Sequence, residues 1–595
     1  MAKVWEFVPA PGQFVNTASF LSGDALIGNG DTTGTSVIPS TSGMISLGGF
    51  GGYIVVGFDG PVVNDPRNPY GVDFTIGGNA FEAAVKGYWS EPGAVMVMRD
   101  DNGNGLPDDT WYELAGSNYW FSTSRRNVTF TYEDPGYASR YYIPYTTSDG
   151  INGCVPSNQF HQQSYFPDPS NYSDIKLTDG NKLSLTGTHI NAVYDLRAKS
   201  YIECFRPLGF GYCDNHATNG DLTVAHNPYY ADDNGKVTDG FDIDWAVDAD
   251  GNYVYLDHID FIKVYNSVNQ QCGWLGESST EVAAIVMTRP DPNQEAPGDY
   301  YLNYAGITQL QVVEGKTCQF EGLAFHNGRP ITDATPRWSV EDESIGTIDA
   351  NGLFTAIKTG ATKIHFSATD LAPEDVFDVE VVTLSGVEIT REGNASTVSN
   401  TEGTALVGEK HFYYTVSLST NGSTLNGTAA NHYIYDTYTW TSSDPSVARI
   451  EKNGFFETLK AGETVLTATS DTDPSLSTTF KLTVLDLPEV KQYNNYLVIE
   501  DERLSQEELN AKYFTNDQIF IASLVDGRAT YKKRVDLALT KVEPEGYDDM
   551  FYIENNRLCN RLVKGDWREY RITVEGTLGD VTTTLTFPVL HTSAN

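Results

Sequence analysis

The stretch from 100 to 109 places oxygen-bearing side chains at a spacing that suits a divalent cation. Gly105 stands at the sixth position of this stretch, where the loop of an EF-hand turns sharply. Calcium takes roughly six to eight oxygen ligands, so the pattern predicts one Ca²⁺, with the backbone carbonyl of Leu106 as a further ligand. The side-chain ligands predicted at the first, third, fifth and ninth positions are Asp100, Asn102, Asn104 and Asp108.

The ligand set of this loop is incomplete. Its twelfth position is Trp111, where an EF-hand has a glutamate, so another carboxylate must complete the set, and Glu91 and Glu113 are the two candidates. No helical pattern flanks the loop, which predicts a bare calcium loop between strands. The alternative interpretation is an Asn-Gly turn that carries solvated acids.

A second candidate site is the aromatic, irregular stretch from Tyr137 to Tyr172. Aromatic side chains in such a stretch either anchor the loop to a core or form a platform for a ligand, and both interpretations stay open. Loops on a rigid sandwich often carry binding function. The residues predicted to bind a ligand are Tyr141, Tyr142, Tyr145, His161, Tyr165 and Phe166.

Motifs for catalysis are absent from the sequence. It contains neither H-E-x-x-H nor G-x-S-x-G, and the adjacent acids Asp108 and Asp109 point opposite ways on a strand. The glycine run from Gly48 to Gly52 lacks the lysine of a phosphate-binding loop, and it favours a bulge or a close approach between strands. We therefore predict that the protein is not an enzyme.

Composition indicates the class of protein and its partners. The formal charge of −40 excludes the basic surface that nucleic acids require, so no nucleic-acid partner is expected. With 35 tyrosines and 54 glycines, the chain has a β-rich, turn-rich composition typical of secreted proteins. No apolar segment resembles a signal peptide, and we expect one to precede Met1 in the full-length protein.

Six cysteines are present, and none of them forms a C-x-x-C pair, which excludes a zinc ribbon. Cys204 and Cys213 are close enough in sequence for a disulfide, but spacing alone leaves this open. Cys318 and Cys559 stand in apolar strands and are expected to be buried thiols.

An internal repeat runs without a gap from Trp338 to Gly360 and from Trp440 to Gly462. Tryptophan, serine, an Asn-Gly turn, phenylalanine, lysine and glycine coincide, and alternating apolar residues follow each copy. Alternation interrupted by Asn-Gly predicts hairpins in a small antiparallel sandwich. The pattern resembles the bacterial immunoglobulin-like (group 2) domain, which implies modules that hold other domains away from a cell surface.

The predicted fold is all-β. A jelly-roll-like β-sandwich with the calcium loop is expected over residues 1–302, and immunoglobulin-like sandwiches over 303–384 and 385–487. Residues 488–595 lack the tryptophan and glycine signature and are predicted to form a divergent immunoglobulin-like sandwich. A short helix is possible at 505–510.

Several segments of the first half form a further pattern, among them Val4–Asn16, Ser46–Asp59, Ser90–Leu114, Phe241–Asn252 and Gly273–Glu281. Together they resemble surface lipoproteins of Bacteroides-type gut bacteria in the corrinoid (vitamin B12) uptake group. The resemblance implies a lipid-anchored protein on the extracellular face of the outer membrane. It would capture cobalamin or a related corrinoid for an outer-membrane transporter. The alternatives are a calcium-dependent glycan-binding protein and a structural adhesin.

Overall fold

The computed structural model confirms the all-β fold class. Its described part contains no α-helix and only four 3₁₀ turns, at Pro69–Gly71, Ser117–Trp120, Ile243–Trp245 and Asp548–Met550. The predicted helix at 505–510 lies outside the described part. The structure describes residues 3–17, 36–37, 44–83, 87–137, 140–157, 160–191, 207–216, 227–233, 236–270, 276–293, 298–390, 401–412, 414–419, 432–434, 436–486, 490–492, 497–499, 519–525, 528–554, 556–562 and 568–591.

The described residues of the first half of the chain contain nineteen strands. They are β1 (Lys3–Val8), β2 (Ser36–Val37), β3 (Ile45–Ser46), β4 (Tyr53–Val63), β5 (Phe74–Gly77), β6 (Phe81–Ala83), β7 (Gly87–Trp89), β8 (Gly93–Met98), β9 (Trp111–Leu114), β10 (Arg125–Glu133), β11 (Ile143–Thr147), β12 (Asn152–Val155), β13 (Lys182–His189), β14 (Tyr230–Asp233), β15 (Lys236–Phe241), β16 (Ala246–Val247), β17 (His258–Asn266), β18 (Glu281–Val282) and β19 (Ala284–Met287).

These strands form a sandwich around one large core. A six-stranded sheet has the order β1-β4-β17-β8-β9-β16, and a four-stranded sheet has the order β12-β11-β10-β13. A five-stranded sheet, β14-β15-β5-β19-β2, extends the structure, and two short ribbons pair β18 with β3 and β6 with β7. Ile54 and Val97 of the first sheet share the core with Phe130 and Leu185 of the second and Ile76 of the third. We call this unit the first sandwich.

The backbone at 48–52 lies very close to neighbouring backbone segments, as predicted from its run of glycines. A Cβ atom on Gly48 would lie 2.1 Å from the carbonyl oxygen of Ala10, and Gly48 has a φ of +70°. A Cβ on Gly52 would lie 1.9 Å from the carbonyl oxygen of Leu47. Only glycine fits at these two positions, and the run has a structural role.

Two modules with the same sheet order follow, which accounts for the internal repeat. Each has a four-stranded sheet in which one strand pairs in parallel, β21-β29-β28-β25 in the first module and β31-β39-β38-β35 in the second. The strands of the first module are β20 (Tyr301–Gly306), β21 (Gln311–Val313), β22 (Thr317–Gln319), β23 (Glu321–His326), β24 (Arg329–Pro330), β25 (Arg337–Val340), β26 (Gly346–Ile348), β27 (Leu353–Ala356), β28 (Gly360–Ser367) and β29 (Asp375–Val382). Those of the second module are β30 (Leu384–Thr390), β31 (Glu402–Leu406), β32 (Lys410–Phe412), β33 (Tyr414–Ser419), β34 (His432–Ile434), β35 (Tyr438–Ser442), β36 (Ala448–Ile450), β37 (Phe455–Thr458), β38 (Gly462–Ser470) and β39 (Ser477–Leu485).

The C-terminal unit keeps the four-stranded sheet with a parallel strand, in the order β41-β48-β47-β44. Its own core includes Tyr570 and Ile572. The strands of this unit are β40 (Val490–Gln492), β41 (Leu497–Ile499), β42 (Ile519–Val525), β43 (Arg528–Arg534), β44 (Asp536–Glu543), β45 (Phe551–Glu554), β46 (Arg557–Asn560), β47 (Glu569–Leu578) and β48 (Val581–His591).

The first module packs directly against the first sandwich. Phe325 from β23 is part of the core of the first sandwich, where its ring lies 5.1 Å from that of Phe210. The indole N–H of Trp245 donates to the carbonyl oxygen of Asn327 at 3.2 Å, and Arg329 donates to the carbonyl oxygen of Asp244 at 2.5 Å. The first module is therefore in direct contact with the first sandwich. A module that acts only as a spacer would not need such a contact.

Four cysteines lie in the described part, and Cys154, Cys213, Cys318 and Cys559 are all buried. Cys213 forms no disulfide, and Cys204 lies outside the described residues, so the structure shows no bridge between them. The buried positions of Cys318 and Cys559 agree with their apolar strands.

Candidate functional site

The predicted calcium loop connects β8 to β9, two antiparallel strands in which Met98 is paired with Trp111. The loop is exposed, and Gly103 and Gly105 have φ values of +70° and +72°. This left-handed conformation lets the chain fold around a central point at the end of the hairpin. The first sandwich thus presents the loop to solvent on a rigid support.

The four predicted side chains converge within this loop. Asp100 accepts hydrogen bonds from the backbone N–H of Asn104 at 3.1 Å and of Gly105 at 2.7 Å. The side-chain amides of Asn102 and Asn104 donate to Asp108 at 3.0 Å and 3.1 Å. The amide oxygens of Asn102 and Asn104 accept from the backbone N–H groups of Asn104 and Leu106 at 3.0 Å and 2.7 Å, so Asp100 and Asp108 supply the anionic oxygens of the loop. The arrangement suits a cation with oxygen ligands.

The additional carboxylates near the loop differ from those suggested by the sequence. Asp260 accepts from the backbone N–H of Asp100 at 2.8 Å, and Asp109 accepts from that of Asn102 at 3.4 Å. Glu91 lies in a separate cluster of carboxylates. Glu113 accepts hydrogen bonds from the hydroxyls of Thr188 and Tyr265 at 2.6 Å and 3.0 Å. Asp109 and Asp260 are therefore the carboxylates best placed to complete a ligand set.

Glu113 gives a test of pH dependence. Burial raises the pKa of Glu113 to about 7 from its ordinary 4.5, against the opposing effect of its two hydroxyl donors. The folded protein keeps this proton up to about pH 7, whereas the unfolded chain loses it near pH 4.5, so the stability from this group falls as pH rises through that window. Because the side chain is only partly buried, we expect a loss of about 1–3 kcal/mol in the free energy of unfolding.

The measurement is urea unfolding of the wild type and of Glu113→Gln at several pH values between 4.5 and 7.5. The amide cannot titrate, so the wild type should lose stability relative to the variant as pH rises. Two curves that stay parallel over the whole range would show that Glu113 has the same pKa in both states.

The six predicted ligand-binding residues do not form one exposed platform. Tyr142, Tyr165 and Phe166 are buried, with exposed fractions of 3%, 0% and 2%. Tyr165 and Phe166 belong to the core of the first sandwich. His161 is partly exposed and packs edge-on against Phe14 at 4.9 Å. For Tyr142, Tyr165 and Phe166 the structure supports the alternative that aromatic side chains anchor the loop, because buried rings offer no face to a ligand.

Tyr141 and Tyr142 lie at a contact with the second module. The hydroxyl of Tyr141 donates to Glu409 at 2.7 Å and lies 2.8 Å from Nε2 of His411. Tyr142 packs with Cys154 and Phe455 in a small buried cluster between the two units. The C-terminal unit joins the same surface, because Arg534 forms an ion pair with Asp134 at 3.3 Å.

A cleft of about 460 Å³ lies beside this contact, between the sheet of β10, β11 and β12 and the strands β36 and β37. Its size falls within the usual range for small-molecule sites. Two ion pairs border it, Lys410 with Glu133 at 2.7 Å and Arg449 with Glu457 at 2.8 Å. The lining residues combine aromatic, amide and charged groups: Thr131, Glu133, Pro144, Tyr145, Thr146, Asn152, Lys410, Arg449, Ile450, Glu451, Phe455 and Glu457.

Tyr145 is the one predicted ligand residue that lines this cleft. Its ring packs 4.9 Å from that of Phe130, and its hydroxyl accepts a hydrogen bond from Asn269 at 2.7 Å. The opposite wall comes from the second module, about 300 residues further along the chain, and its residues Arg449 and Phe455 lie within the second copy of the repeat, whose pattern indicates a fold and not a binding site.

The fold defines the chain as a β-sandwich protein with repeated immunoglobulin-like modules, and no family model matches it. It is similar to ice-binding protein 1 of Shewanella frigidimarina, with 28% identity over 178 residues. This match covers 29% of the chain and 18% of the relative, so the chain spans less than a fifth of that protein's length.

Solved structures of other β proteins overlap parts of the chain. Domains 4–9 of the surface layer protein SbsC share 12% identity, cover 46% of this chain and 42% of their own, and have a TM-score of 0.17. The EC1-2 fragment of human protocadherin-24 shares 13% identity and has a TM-score of 0.12. The match covers 36% of this chain and 100% of the fragment. These scores carry no inference about function. In the described residues, no helix is long and apolar enough to span a membrane.

Proposed function

We propose that this protein is a non-enzymatic binding protein of the cell surface that captures cobalamin or a related corrinoid and delivers it to an outer-membrane transporter. The observation that best supports a binding role is the cleft between the first sandwich and the second module, which is large, open and lined by mixed chemistry. Clefts between units are common ligand sites because two surfaces supply contacts at once.

The chemistry of the cleft is compatible with a corrinoid. A corrin ring is flat and carries amides around its edge, so it needs apolar contact on a face and hydrogen-bonding groups at the rim. Tyr145 supplies aromatic surface, while Asn152, Glu451 and Arg449 supply acceptors and donors. A whole corrinoid is larger than the cleft, so the ligand would lie across its mouth with part of its surface exposed.

Location at the cell surface is part of the same proposal. The resemblance to Bacteroides-type surface lipoproteins supports an anchor on the extracellular face of the outer membrane. The strongly acidic composition and the immunoglobulin-like modules are compatible with that compartment. The calcium loop would have a structural role, because calcium is abundant outside cells and the loop lies in a hairpin of the first sandwich.

Isothermal titration with cyanocobalamin tests the proposed ligand. Capture ahead of a transporter is useful at an affinity on the order of nanomolar, which is about −12 kcal/mol. Arg449→Ala should weaken binding by about tenfold, which corresponds to roughly 1.4 kcal/mol. Lys452→Ala is the matched control, since Lys452 is a cation of the same module that pairs with Asp471 and does not line the cleft. Absence of heat with cyanocobalamin would contradict the proposal.

A glycan is the second candidate ligand. The cleft is open enough to admit a sugar chain. Its aromatic ring can stack on the face of a sugar, and its carboxylates and amide can form hydrogen bonds with sugar hydroxyls. A panel of plant and mucin glycans titrated under the same conditions distinguishes the two ligands. Heat with a glycan and none with cyanocobalamin would show that the ligand is a glycan and not a corrinoid.

A further inference from the structure

Three carboxylates from distant parts of the sequence meet inside the first sandwich. Glu91 lies in the short connection between β7 and β8, Asp214 in the segment 207–216, and Glu281 at the first position of β18. One oxygen atom from each of the three lies within 4.8 Å of the other two. We call them the buried carboxylate cluster. It is separate from both the calcium loop and the cleft.

Four backbone N–H groups from two segments of the chain hold this cluster in place. Asp214, whose φ is +54°, accepts from the backbone N–H of Asn79 at 2.6 Å, of Ala80 at 2.8 Å and of Glu281 at 2.9 Å. The N–H of Ser279 donates to Glu91 at 2.8 Å. The cluster is therefore organised by the fold, and its side chains do not simply extend into solvent.

The negative charge of the cluster is not balanced by basic side chains. Asp214 and Glu281 have exposed fractions of 1% and 2%. In the described part of the chain, no lysine, arginine or histidine forms an ion pair with any of the three carboxylates. Glu91 is half-buried, and three carboxylates this close together without a counter-charge would repel one another and lose part of their hydration. They must share protons or hold a cation.

A polar atom without a partner points to a ligand. Oε1 of Glu281 accepts no hydrogen bond although it is buried, and the neighbouring Glu277, 3% exposed, has the same feature at Oε2. Buried oxygens without a donor are rare because each loses its hydrogen bonds to water. A bound cation would satisfy the free oxygen and neutralise the surrounding charge.

We propose that the buried carboxylate cluster is a second cation site, in which Glu91, Asp214 and Glu281 bind one calcium ion. The ligands are all oxygen, which favours a hard cation over zinc or copper. Oxygens about 2.4 Å from a calcium ion lie at most about 4.8 Å apart, which agrees with the separation in the cluster. Such an ion would link the β7–β8 connection, the segment 207–216 and β18 into one unit.

Counting the bound metal tests this site separately from the calcium loop. The full chain is stripped with a chelator, reloaded with calcium, desalted and measured by elemental analysis. We expect two equivalents in the wild type, one in the loop variant Asp100→Asn/Asp108→Asn and one in Glu281→Gln. Glu113→Gln is the matched control, because it changes a carboxyl of β9 that lies outside the cluster, and it should keep both equivalents.

Terbium luminescence gives a second measurement in case Glu281→Gln does not fold. Trp89 lies two positions from Glu91 and can transfer excitation energy to a bound lanthanide. In the loop-variant background, terbium should give a signal that calcium displaces and that Glu91→Gln abolishes. Wild-type protein with one equivalent, lost only in the loop variant, would overturn the proposal and leave proton sharing as the explanation. If the wild type binds one equivalent and only Glu281→Gln loses it, calcium binds at the buried carboxylate cluster and not at the calcium loop.

Discussion

Replacing Trp440 with alanine is expected to destabilise the second module by about 3–5 kcal/mol, the usual cost of emptying a core site for a large aromatic residue. Trp440 lies on β35, is 8% exposed, and stands opposite Ala468 on β38. Its core also contains Leu466 and Phe480. Because alanine at 468 is small, the residue opposite Trp440 cannot fill the space, and much of the cavity should persist.

Trp338 provides a matched comparison in the first module. It occupies the equivalent place on β25, opposite Phe366, with its ring 4.5 Å from that of Phe366, but it is only partly buried. We expect Trp338→Ala to cost about half as much, since less surface returns to water and part of the indole is already solvated. Differential scanning calorimetry of the full chain measures both variants. Equal losses for the two variants would contradict the argument from burial.

The repeat explains why so much of the modules could be predicted from sequence. Asp342 and Asp444 are 102 positions apart, and each accepts a hydrogen bond from the backbone N–H two residues later, at 2.9 Å and 3.0 Å. The backbone N–H of each aspartate donates to a threonine hydroxyl, from Asp342 to Thr362 in the first module and from Asp444 to Thr464 in the second. Such contacts are local or lie between neighbouring strands, so alternation and turn residues are enough to indicate them.

The contacts between units could not be predicted in this way. Tyr141 meets His411 across about 270 residues, and nothing in the periodicity of either strand selects the other as its partner. A tyrosine-rich loop has the same composition whether it packs against a neighbouring module or binds a ligand. The buried carboxylate cluster illustrates the same limit, since Asp214 and Glu281 are isolated acids in sequence and become neighbours only in the folded sandwich.

Removing calcium should lower the stability of the first sandwich. A ligand that binds only the folded state stabilises it by about 2.7 kcal/mol at a hundred times its dissociation constant, and by about 4.1 kcal/mol at a thousand times. The calcium loop has the geometry for such a ligand, because Asp100, Asn102 and Asp108 converge within it. Thermal unfolding in a chelator, followed by calcium titration, should show a melting temperature that rises with the concentration of free calcium.

Two variants of the loop distinguish bound calcium from a general effect of charge. Asp100→Asn/Asp108→Asn removes two anionic ligands and should abolish the part of the response that comes from the loop. Asp101→Asn removes one exposed charge from the same loop, but Asp101 pairs with Arg99 at 2.6 Å and does not face the ligand cluster, so this variant should keep the response. If both variants respond to calcium as the wild type does, the loop is a turn with solvated acids. If Asp101→Asn alone keeps the response, the spacing of the loop has identified a calcium site.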